Sequence, residues 1–185
     1  MNCLSFRRRI VLTRLTQVAF TMTIGLIVEC AQGQTTQTVT VTSTVPQVLN
    51  LGIDTNAISM NFIASDYNAS TGAATKTLSS GNTLSVTTNK GWTVSLKANT
   101  AAFSFVPSAG DTDPSKPCGN LSYKLSSGSS YSAITTSNVA VKSGSRGGSS
   151  TAGNSFAMDY QLTSNLSTDP PGTYTLAIVY TLTTP

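Results

Sequence analysis

Apolar side chains fall on every second residue through most of this chain, with threonine, serine or lysine between them. Val39, Val41 and Val45 open the series, Pro46 interrupts it, and Val48, Leu49 and Leu51 resume it before Gly52. Ile58, Met60 and Phe62 form the next set, then Leu84 with Val86, then Trp92, Val94, Leu96 and Ala98. Leu121, Tyr123 and Leu125 follow, with Val139 and Val141, and with Phe156, Met158, Tyr160 and Leu162. The longest set closes the chain: Tyr174, Leu176, Ile178, Tyr180 and Leu182. A period of two sends one set of side chains to each face of a β-strand, so each run predicts a strand with one face on a core.

The connections carry turn chemistry. Asn89-Lys-Gly91 sits between two alternating runs and predicts a β-hairpin. Residues 66–74, 109–119 and 143–153 are rich in Asn, Ser, Gly, Asp and Pro and predict loops, and Asp169-Pro-Pro-Gly172 predicts a turn. No helical period interleaves with these strands. The pattern predicts an all-β fold, an Ig-like antiparallel β-sandwich of about eight to nine strands. Trp92 heads an inward-facing set and is expected to plug the core near one end.

The N-terminal end reads differently. Arg7, Arg8, Arg9 and Arg14 precede an apolar stretch from Leu15 to Val28, and Ala31-Gln-Gly33 supplies small residues for cleavage. This is the pattern of a secretory signal peptide over residues 1–33, leaving one β-sandwich domain over 34–185. Removal takes four of the 11 basic residues and Glu29 of the seven acidic ones, so the net charge falls from +4 to 7 − 6 = +1. The basic balance therefore belongs to the signal, and nucleic acid is not an expected partner. The expected location is secreted or cell-surface, with no membrane span in the mature chain.

Residues 34–185 contain no histidine and no glutamate, which removes Ser-His-Asp and Cys-His catalysis and His-based zinc sites. No serine stands three residues before a lysine. The six aspartates (54, 66, 111, 113, 159 and 169) read mostly as turn residues. Asp111-Thr-Asp113 has two carboxylates at alternate positions, but a calcium site needs six or more oxygens. Cys118 is the one cysteine of the mature chain, so it has no intramolecular disulfide partner. We expect no catalytic residues, no cofactor and no metal. Among the aromatics, Tyr67 and Tyr131 lie in loops and are the platforms a sugar would stack on.

Val45-Pro-Gln-Val-Leu-Asn-Leu-Gly52, Gly91-Trp-Thr-Val-Ser-Leu96 and the closing run from Gly172 to Pro185 together resemble the WxL-type domains of bacterial surface proteins. That family has a Trp-x-Leu motif internally and another near its end. Here the matching positions are Trp92 with Val94, and Tyr180 with Leu182. The resemblance implies an Ig-like domain at the bacterial surface, with a cell-wall polymer or other surface proteins as partners. The signal peptide, the Ser/Thr/Gly-rich sandwich and the alternating last strand also resemble spore coat protein U and chaperone–usher pilins. That likeness implies self-association, with Val39, Val41 and Val45 on a donor strand. The function expected is a non-enzymatic cell-surface structural or wall-associated protein. Alternatives are a fimbrial subunit polymerising by strand donation and a secreted carbohydrate-binding module.

Overall fold

The computed structural model describes residues 15–17, 32–34 and 37–185. The export signal expected over 1–33 lies outside the described residues, apart from the two short strands β1 (Leu15–Gln17) and β2 (Gln32–Gln34), which pair antiparallel. The chain divides into two units, residues 1–45 and residues 46–185. The alternating run with Val39, Val41 and Val45 therefore falls outside the unit that holds the sandwich.

The second unit is all-β and antiparallel, as the alternation predicts. Its strands are β3 (Leu49–Ile53), β4 (Ala73–Thr88), β5 (Trp92–Ala98), β6 (Ser104–Pro107), β7 (Leu121–Leu125), β8 (Ser132–Ala133), β9 (Val139–Gly144), β10 (Ser155–Asn165), β11 (Gly172–Thr175) and β12 (Ile178–Thr183). One sheet runs in the order β3-β4-β10-β7-β8. The other side is built from β12-β5-β9 and β11-β6. The closing alternation, one run in sequence, breaks at Leu176 and Ala177 into β11 and β12. Opposite the break, Asn99 to Phe103 separate β5 from β6, and the Asn99 N–H donates to the Ala177 carbonyl at 2.9 Å.

Asn89-Lys-Gly91 does not close a hairpin. β4 pairs with β3 and β10, whereas β5 pairs with β12 and β9. The connection is a corner that carries the chain from one sheet to the other. Leu84, Val86 and Thr88 on β4 and Trp92, Val94, Leu96 and Ala98 on β5 are all buried. Both strands direct these faces into one interior, as packed sheets require. Phe156, Met158 and Tyr160 from β10, Leu121 and Tyr123 from β7, and Phe103, Cys118 and Ile134 complete the core.

One irregularity in the first sheet is built around a buried acid. Between the pairs Leu78–Tyr160 and Asn82–Met158, three residues of β4 face Asp159 alone. Ser80 takes a positive φ of 50° there. Asp159 Oδ1 accepts the Ser80 N–H at 2.8 Å and the Ser126 hydroxyl, and Lys124 Nζ lies 3.2 Å from its Oδ2. The Ser126 hydrogen bond, ahead of the Ser80 N–H, holds this carboxyl below the usual aspartate range. A depressed folded-state pKa stabilises the fold above the unfolded pKa, and that stabilisation disappears as pH falls through the folded value. Unfolding at pH values descending from about 4 is expected to show an acid loss of stability that Asp159→Asn reduces. Parallel acid titrations followed by circular dichroism measure it, and equal losses in both proteins would count against the bulge carboxylate.

Candidate functional site

Residues 37–48 join no sheet among the described residues. Val39 is 75% exposed, Val41 86% and Val45 75%, so the alternation that predicted a half-buried strand is present without a surface to bury it. Immediately beyond, the chain is pinned. Asn89 Nδ2 donates to the Pro46 carbonyl at 2.7 Å, and Asn89 Oδ1 accepts the Val48 N–H at 3.0 Å.

The sandwich unit has its own unfilled apolar surface. Ile58, Met60 and Phe62 alternate inward as expected, yet this run forms no strand. Residues 57–62 make no backbone hydrogen bond among the described residues. Residues 58–62 line one side of a groove of about 860 Å³. Leu162 and Leu166 and the β11 to Ile178 stretch, with Tyr174 and Leu176, also line it. β11 pairs only with β6, and β12 only with β5, so their outer edge has no strand partner among the described residues. An apolar groove is thus lined by the 57–62 run, without backbone hydrogen bonds among the described residues, and by the outer edge of β11 and β12, without a strand partner among them. Unused N–H and C=O groups along an extended edge are what a further strand pairs with.

At one end of the groove Lys116 Nζ donates to Asp169 Oδ2, and the two side chains are 2% and 6% exposed. The Tyr174 ring lies 5.4 Å from Nζ, and its hydroxyl donates to the Pro170 carbonyl at 2.8 Å. Burial, reinforced by the nearby Asp169 charge, pushes the Tyr174 hydroxyl up to about 12. Across the groove Tyr67 and Ser164 share a hydrogen bond at 3.2 Å. Nothing in the spacing of Lys116 and Asp169 marks them as partners, and both stand in segments read from sequence as a loop and a turn.

The other candidate positions fall in the framework. Trp92 is 2% exposed and Val94 fully buried, so neither offers a surface to a wall polymer. Tyr180 and Leu182 on β12 are half-buried against the same core. The Tyr180 hydroxyl meets that of Tyr160, which donates to Asn82 Oδ1 at 2.9 Å. Tyr67 packs against Phe62 with ring centroids 5.7 Å apart, and Lys124 Nζ sits 5.3 Å from the centre of the Tyr131 ring. Neither tyrosine is a bare platform for a sugar. Among the described residues, no three His, Cys, Asp or Glu side chains gather as metal ligands, and no helix is long and apolar enough to cross a membrane. No protein-family model and no curated protein matches the chain. The class of protein rests on its own geometry: an antiparallel β-sandwich with an open strand edge over an apolar groove.

Proposed function

We propose that this chain is an exported, non-enzymatic structural protein of the cell surface that assembles with copies of itself. The valine-bearing segment of one copy enters as a strand along the β11–β12 edge of the next, with its valines toward the groove. The observation that carries this reading is the coincidence of two incomplete halves in one chain. One is an alternating apolar segment without a sheet, and the other is a sheet edge and groove without a strand. Strand addition supplies both needs: main-chain hydrogen bonds along the edge, and pockets for alternate side chains. Export is carried by the N-terminal pattern of residues 1–33.

The protein starting near residue 34 is expected to form oligomers that grow with concentration, measured by sedimentation velocity. Deleting residues 34–45 should leave a monomer. A synthetic peptide of residues 37–46 should bind that monomer and raise its melting temperature. Oligomers unchanged by the deletion, or a monomer indifferent to the peptide, would overturn strand donation.

A further inference from the structure

Lys116 and Asp169 form a buried ion pair at one end of the groove. Lys116 lies in the loop before β7 and Asp169 in the turn before β11, 53 residues apart. Both are held from the backbone. The Lys116 carbonyl accepts the Phe103 N–H at 2.8 Å, and the Asp169 N–H donates to the Asn165 carbonyl at 2.9 Å. Asp169 Oδ2 accepts from Lys116 Nζ, from the Ser164 hydroxyl at 2.9 Å and from the Asn165 N–H at 3.1 Å. Among the described residues Oδ1 accepts one hydrogen bond, from the Thr168 hydroxyl at 3.4 Å.

We propose that Lys116 and Asp169 condense into an intramolecular amide, a covalent clasp between the 109–119 loop and the turn that opens β11. A proton passes from the Nζ ammonium to the carboxylate, leaving a neutral amine beside a neutral acid. Burial of the two ions works for that transfer, against the hydrogen bonds from Lys116, Ser164 and the Asn165 N–H, which together hold the Asp169 carboxyl below the usual aspartate range. The Nζ lone pair then attacks Cγ. Negative charge developing on Oδ2 is met by the Ser164 hydroxyl and the Asn165 N–H, the geometry that stabilises a tetrahedral adduct. The Cγ–Oδ1 bond breaks, and Oδ1 leaves as water with two of the three ammonium protons. The third remains on the new amide. No oxidant or added reagent is needed. Fixing both groups in contact replaces the encounter that makes amide formation slow between free partners. Cys118, the free cysteine among the described residues, is buried, so the clasp would be the covalent link of the sandwich.

Intact-mass spectrometry of the denatured full-length product tests this. The expected mass lies about 18 Da, one water, below that calculated from the N-terminus found on the same sample. Proteolysis should yield one branched peptide containing both residues. Lys116→Arg and Asp169→Ala should each restore the uncondensed mass. A wild-type mass without the deficit overturns the clasp, as does a deficit that survives in either variant. The wild-type measurement decides even where a variant fails to fold, and it is independent of whether the protein assembles.

Discussion

Trp92→Ala is expected to lower the stability of the sandwich by about 3–5 kcal/mol, the range for removing a large buried aromatic. The indole is 2% exposed and stacks on Phe156, with ring centroids 6.1 Å apart and planes 9° from parallel. Its Nε1–H donates to the Ser145 carbonyl at 3.0 Å and to Asn154 Oδ1 at 3.2 Å. Truncation therefore opens a cavity and takes a donor from Asn154, which is only 1% exposed. Urea unfolding of the two proteins measures the change, and a loss under about 1 kcal/mol would contradict this placement of the ring. A second substitution isolates the contact. A Cβ added at Gly144 would lie 2.3 Å from Trp92 Cζ2, so Gly144→Val is expected to cost about 1–3 kcal/mol by overpacking. In the Trp92→Ala background most of that cost should vanish, because residues in contact do not act additively.

Replacing Val39 and Val41 together by aspartate is expected to weaken self-association at least about a hundredfold while leaving the unfolding midpoint of the isolated sandwich unchanged. Burying a valine contributes about 1.5 kcal/mol or more, and two lost burials amount to about 3 kcal/mol. At 1.4 kcal/mol per decade, that is about two decades in the dissociation constant. Introducing charge against an apolar groove adds to the penalty. Sedimentation equilibrium across a concentration series measures it. An association constant within about threefold of wild type would show that these valines do not enter the groove.

The alternation made most strands legible because a two-residue period depends only on which face a side chain occupies. Trp92, Val94, Leu96, Phe156, Met158 and Tyr160 are buried as their register predicted. Pairing was less legible. Leu84 and Val86 on one side of Asn89-Lys-Gly91, and Trp92 and Val94 on the other, suit a hairpin and a corner equally. In both cases alternate residues point into a core. Which neighbour supplies the hydrogen bonds depends on distant strands, here β10 for β4 and β12 for β5. Ile58, Met60 and Phe62 show the same limit, since alternation records the burial of side chains and not the presence of a backbone partner.

The candidate site was half visible. Val39, Val41 and Val45 stood out as an alternating run, but their lack of a sheet could not be read from their own residues. The groove draws on residues from Ile58 to Ile178, and no local pattern joins them. Asp159 and Asp169 illustrate the point with charge. Asp159 stood inside a predicted strand and Asp169 in a predicted turn, yet the bulge that the first holds and the buried lysine that the second faces are set by residues distant in the chain.

By itself the sequence determined an all-β chain and the inward and outward face of most strands. These properties are local: they follow from residue type and from the two-residue repeat of an extended backbone. The tertiary structure alone decided that β4 and β5 part to opposite sheets, that the β11–β12 edge stays open above an apolar groove, and that Lys116 meets Asp169. Those outcomes join residues far apart in the chain. They are set by how two twisted sheets close over one core, which no single segment encodes.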